Sequence, residues 1–290
     1  MFARSRSPLA AGMVAGGALL FSAAACSPDA PTVTEAAVGA SAARAGYDQP
    51  GVHVQYGVPV RVGDGRARTY VVVDAKRDQA PLELGIALDE RALDGLPTAV
   101  GEFSYVLSLP SLSPAPYQFA ELDWNPQGHD PAGVYTVPHF DFHFYTISLA
   151  ERNSIVPSDP LYAAKASNLP TGAYVPPFYV VPGPPPLVAV PRMGVHWADV
   201  RSPELQNILG NPAGYQPFTK TFIYGSWNGR YTFYEPMITR AYLLSRPDVT
   251  TPISVPQLYP QSGWFPTSYR VTYDAQAKEY RVALTGLVAR

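Results

Sequence analysis

The sequence predicts a mainly β protein, an antiparallel β-sandwich or jelly-roll-like barrel with a few short helices. Three observations point there. Apolar and polar residues alternate with period two in several stretches, most cleanly in "GVHVQYGVPVRV". The chain holds 32 prolines in 290 residues, which favours short strands joined by rigid loops over long helices. Turn signals such as Gly63-Asp64-Gly65 and Asn228-Gly229 separate runs rich in tyrosine and β-branched residues.

In chain order, Val52, Val54, Tyr56, Val58, Val60 and Val62 are expected on one face of a first strand, which returns through Gly63-Asp64-Gly65 into "RARTYVVV". "LELGIALD" is a further strand, and "DERALDGLP" a short helix stopped by Gly95 and Pro97. "FSYVLSLP" and "FAELDWNP" read as strands ending at prolines. Two more short helices are expected. One has Asp159 as cap and Pro160 at its first position; the other has Ser202 as cap, Pro203 next and Gly210 as its stop. "FYVVPGPPPLVAVP" reads as a proline-rich loop, while "KTFIYGSWNGRYTFYEPMI" and "SYRVTYDAQAKEYRVAL" read as hairpins.

The N-terminus has the pattern of an export signal, with Arg4 and Arg6 ahead of an apolar, small-residue stretch from Leu9 to Ala25. The only cysteine, Cys26, follows "SAAA", which resembles a bacterial lipoprotein signal whose cysteine becomes the lipidated first residue. The alternative is a plain signal peptide cleaved near Ala25. The expected organisation is a signal peptide over 1–25, a lipidated cysteine and flexible tether over 26–46, and one β-rich domain over 47–290. The expected address is the bacterial cell envelope, membrane-anchored through Cys26, or otherwise secreted or periplasmic. A lone cysteine makes no internal disulfide. Net charge is −2 for the full chain; without residues 1–25, 19 basic residues face 23 acidic ones, a net −4. No basic run accompanies this balance, so nucleic acid is not an expected partner.

Within "VPHFDFHFYTIS", His139, Asp141 and His143 alternate with Phe140, Phe142 and Phe144. The histidines are four apart, as in a helical two-histidine metal motif, but strict alternation favours a strand. The phenylalanines then face the core, and the polar trio faces a cleft or solvent. A strand rises about 3.3 Å per residue, so the two histidine Cα atoms lie about 13 Å apart, too far for one ion without a bulge. Asp141 with either histidine, about 6.6 Å away by the same rise, is the better ligand pair. Further ligands must come from elsewhere: His129 in "WNPQGHDPAG", His196 in "MGVHWADV" and Glu235 in "TFYEPMIT". This mixed N/O set suits zinc, iron, manganese or copper, with Glu235 as a ligand or a general base. The alternatives are a polar hydrogen-bonded ladder and a metal-free pocket. Trp124, Tyr135, Tyr145, Trp197, Tyr224 and Trp227 could line such a pocket, in a non-catalytic envelope protein binding a small ligand or a partner. No G-x-S-x-G, P-loop, C-x-x-C or G-x-G-x-x-G motif is present.

The series "GDGRARTYV", "LGIALDERALDGLP", "WNPQGHDPAGVY", "PHFDFHFY", "MGVHWAD", "KTFIYGSWNG" and "FYEPMIT" resembles a family of secreted bacterial proteins known as a domain of unknown function, first represented structurally in a thermophile. The resemblance spans roughly residues 50 to 245. It implies an exported, mostly β domain and no activity. It also implies that His129, His139, Asp141, His143, His196 and Glu235 fall within recurring motifs.

Overall fold

The alternating stretches form two antiparallel sheets stacked on a shared core. The structure, a computed structural model, describes residues 50–290; the expected signal peptide, Cys26 and tether lie outside the described residues. The first sheet has seven strands: β1 (Val52–Tyr56), β2 (Val60–Val62), β3 (Gly65–Asp74), β4 (Ala80–Asp89), β13 (Asp248–Pro252), β15 (Ser268–Asp274) and β16 (Glu279–Thr285). Their order is β1-β3-β4-β16-β15-β13, with β2 also on β3. The second has eight: β5 (Phe103–Leu107), β6 (Phe119–Asn125), β7 (His139–Tyr145), β8 (Tyr179–Val180), β9 (Ala189–Val190), β10 (Gly194–Asp199), β11 (Lys220–Trp227) and β12 (Arg230–Thr239). They run β5-β6-β7-β12-β11-β10-β8, with β9 on β10. A two-stranded ribbon pairs β14 (Trp264–Phe265) with β17 (Val288–Ala289). The sheets form sandwich-like layers and do not close into a barrel.

One apolar cluster joins the layers. Val71, Leu84, Ile86, Val271 and Val282 come from the first sheet, and Leu122, Phe140, Phe142, Phe144 and Tyr224 from the second. The phenylalanine face of β7 is therefore core, as its alternation predicts. Burying each such side chain stabilises by roughly 1.5–3 kcal/mol.

Four local expectations need correction. The first alternating run does not keep one face. Tyr56 pairs with Tyr70 and Val54 with Val72, whereas Val60 pairs with Ala67, a shift of one residue across Gly57–Pro59. A one-residue slip moves side chains to the opposite face. Val60 and Val62 thus join the main core, Val52, Val54 and Tyr56 pack outside it, and Val58 is exposed. The helix expected from Pro160 begins at Tyr162, because Asp159 accepts from the Leu161 N–H in a turn and caps no helix. The helix expected after Ser202 is only a 3-10 turn, Pro203–Leu205, and the Ser202 side chain makes no cap bond. The proline-rich loop holds β8, β9 and one helical turn, Pro185–Val188.

Candidate functional site

The site lies on the outer face of the second sheet, opposite the core. Its lateral order follows from strand register. Across β6 and β7, Asn125 faces His139, Asp123 faces Asp141 and Glu121 faces His143. On the other side of β7, Met237 faces Asp141 and Tyr234 faces Phe144, which sets Glu235 level with His143. Pro236 has no N–H to give, and the β12–β7 pairing lapses at Glu235 and Pro236 before resuming. His196 comes from β10, paired to Gly225 of β11. His129 comes from the connection between β6 and β7. Gly128 there has φ +71°, and an added Cβ would lie 1.9 Å from the Tyr135 carbonyl oxygen, so glycine permits the turn that swings His129 over β7.

The polar strip is buried between two small apolar clusters. Val134, Tyr135, Leu205, Phe218, Ile223 and Met237 close one end. Phe119, Tyr145, Ile155, Met193, Trp227 and Phe233 belong to the other. His139, Asp141, His143, Glu235, Asp123 and Glu121 are almost fully inaccessible, while the side chains of His129 and His196 remain 39% and 24% exposed. Glu121 is neutralised by the buried Arg152. The expectation that the polar trio faces a cleft or solvent is corrected in that the trio itself is covered, and only His129 and His196 of the six residues reach the surface.

The six predicted residues assemble as two sets of two histidines and one carboxylate. His129, His139 and Asp141 each offer an atom within 4.8 Å of the others, and so do His143, His196 and Glu235. In the first set the ring orientation is fixed by backbone. The His129 Nδ1–H donates to the Asp130 carbonyl and the His139 Nδ1–H to the Val137 carbonyl, both at 2.7 Å. A carbonyl oxygen only accepts, so each Nδ1 holds the proton and each Nε2 points at Asp141, at 3.4 and 3.2 Å. Asn125 donates to the Asp141 Oδ2 at 2.7 Å. In the second set His143 Nδ1 lies 3.0 Å from Asp123, and its Nε2 lies 3.5 Å from the Glu235 Oε2. His196 Nε2 is 3.8 Å from the same oxygen.

These buried atoms lack hydrogen bonds of good geometry. His139 Nε2, Asp141 Oδ1, both nitrogens of His143, both oxygens of Asp123 and Glu235 Oε2 are all unpartnered in that sense. Charge falls on the strip accordingly. Burial pulls His129 down, but Asp141 beside it outweighs that and pushes it up to about 9. Burial opposes charge on His143 too, yet Glu235 and Asp123 push it up to about 10. Burial works to raise Asp141, and the flanking His139 and His129 hold it well below the usual carboxylate range. His196 goes the other way: burial, then the charges on His143 and His129, push it down to about 3. Burial pushes Glu235 up to about 8 against the pull of His143. The carboxylates of the strip thus favour the protonated form of His129 and His143.

His139 and His143 fall into different sets, as strand geometry requires, and Glu235 rather than Asp141 partners His143. Sequence reasoning missed Asp123, Asn125 and the Glu121–Arg152 pair. Their signal is in "FAELDWNP", where Glu121, Asp123 and Asn125 alternate at the same spacing as the trio they face. Met193 packs in an apolar cluster with Trp227 and Phe233. The six aromatic residues expected to line a cleft are all buried in apolar clusters. Comparison of the chain with protein-family models, with curated proteins and with solved structures finds no match in any of the three.

Proposed function

We propose that this chain is an exported metal-binding protein of the bacterial envelope, anchored by lipid at Cys26, which binds a divalent transition metal through the polar face of β7. One observation carries the reading: the spacing of buried, unpartnered atoms across the two pairs His139 Nε2–Asp141 Oδ1 and His143 Nε2–Glu235 Oε2. Charge-assisted N–H···O bonds close to about 2.7–2.9 Å. Two ligand atoms on a tetrahedral ion with bonds of about 2.0–2.1 Å stand about 3.3–3.4 Å apart. The 3.2 Å from His139 Nε2 to Asp141 Oδ1 and the 3.5 Å from His143 Nε2 to Glu235 Oε2 lie nearer the second pattern, with His129 at 3.4 Å from the other Asp141 oxygen and His196 wider at 3.8 Å. Backbone carbonyls behind His129 and His139, and a carboxylate behind His143, are the supports that metal-bound imidazoles use. Zinc, iron, manganese or copper suits this donor set.

An ion there would act as a Lewis acid and lower the pKa of bound water. The exposed edges of His129 and His196 give water access. Glu235, flanked by two imidazoles, fits a ligand better than a free general base. Asp123, 3.0 Å from His143 Nδ1, would support that ring by its charge.

The test is elemental analysis of the full chain, purified from detergent without a histidine tag. The expected result is bound transition metal that is reduced in His139→Ala and abolished when His143→Ala is added. Clean protein that carries no metal, and shows no thermal shift with zinc, manganese, iron or copper, overturns the reading. For the anchor, Cys26→Ser is expected to move the protein from the membrane fraction to the soluble fraction. A wild-type chain already fully soluble overturns that part.

A further inference from the structure

We infer that the outer face of the second sheet holds two divalent cations at once, one in each two-histidine, one-carboxylate set. The inference rests on the metal-binding reading and adds to it the number of ions and their order of filling.

The two sets share no residue. His139 and His143, four residues apart on β7, have Cα atoms about 13 Å from each other by strand rise, so bonds of about 2.0–2.1 Å cannot reach one ion from both. Each set is nonetheless complete, with three ligand atoms converging and one partly exposed histidine, His129 or His196, at its rim. An ion in either set therefore has three protein ligands and an open side.

Charge points the same way. Asp123, Asp141 and Glu235 bring three carboxylates to one buried strip, and Arg152, the buried cation nearby, is already paired with Glu121.

The supports differ between the sets. Behind His129 and His139 stand neutral carbonyls, and Asp141 takes a neutral amide from Asn125. Behind His143 stands the Asp123 carboxylate. The negative charge of a carboxylate 3.0 Å away raises the basicity of the imidazole more than a neutral carbonyl does. The His143/His196/Glu235 set fills first, and the His129/His139/Asp141 set, which borrows one ligand from a loop, fills second.

The test uses the full chain in detergent, stripped with chelator and titrated with Zn²⁺ by calorimetry, with bound zinc counted after gel filtration. Co²⁺ absorbance gives an independent count. Two equivalents per chain are expected, of unequal affinity. His129→Ala and His196→Ala each remove one equivalent; both side chains are partly exposed, so folding is spared, and circular dichroism checks this. Asp123→Asn weakens the tighter equivalent by about 10–100-fold and leaves the weaker one unchanged. One equivalent in the wild type, or both equivalents lost together in either alanine variant, overturns the two-ion inference and leaves the metal-binding reading standing. No zinc bound to the wild type overturns both.

Discussion

Both sheets bury charged residues on their outer faces, and the two faces solve the problem differently. On the first sheet, Arg281 reaches Asp274 at 3.0 Å and Glu279 at 3.1 Å, and Arg68 reaches Glu279 at 2.5 Å. The Arg281 guanidinium also lies 5.6 Å from the Tyr70 ring centroid. These carboxylates have guanidinium partners whose charge is permanent. On the second sheet, Asp123, Asp141 and Glu235 face histidines, whose charge is conditional. On the first face the carboxylates are balanced by permanent charge. The second is balanced only by protons or by a cation, which is why the two deserve different functional readings.

The largest expected effect strikes what the faces have in common. Phe142 is fully buried between the sheets, and Phe142→Ala should cost about 3–5 kcal/mol. Urea unfolding should show one transition moved to lower denaturant, with bound metal unchanged at low temperature. Next comes the guanidinium face. Arg281→Met leaves Asp274 and Glu279 buried without that partner and should cost about 3 kcal/mol, whether or not metal is present. Thermal unfolding with and without chelator measures both halves of that statement; a loss that depended on metal would break the comparison. On the histidine face, metal at 100 times its dissociation constant should stabilise the wild type by about 2.7 kcal/mol, and chelator should remove the gain. Arg281→Met should keep this increment, and Asp141→Asn should reduce it. The smallest effect is the most local. A Cβ at Gly225 would sit 2.0 Å from the Phe233 ring, which lies 4.7 Å from the His143 ring and 5.3 Å from that of His196. Gly225→Ala should cost about 1–3 kcal/mol and weaken metal at the His143 set more than at the His129 set.

How much of this was legible depended on whether the signal was local. The β7 strand could be read because its alternation lies within seven residues, and the Phe140/Phe142/Phe144 face followed. The partition of His139 from His143 could be read too, since it needs only the strand rise. The partners of each histidine could not. Asp123 reaches His143 through a register between β6 and β7, and Glu235 reaches it from a strand some ninety residues later in the chain. Register is decided by tertiary pairing, which period-two patterning does not encode. The same limit hid the change of face between Tyr56 and Val60, where perfect alternation continues across a one-residue shift. Ser202 shows a different failure. Its hydroxyl lies 3.4 Å from the Thr221 hydroxyl and caps no helix, so a good local signal yielded to a neighbouring strand.

The placement of His129 has one more consequence. It is a loop residue, ten positions ahead of His139 in sequence, and an ion shared with His139 and Asp141 would clip the Pro126–Pro138 connection to the sheet. Extracellular proteins ordinarily fasten such excursions with disulfides. This chain has one cysteine, and its proposed use is to carry lipid. The metal would then be the removable fastener of that connection, and chelation would leave it more open to proteolysis.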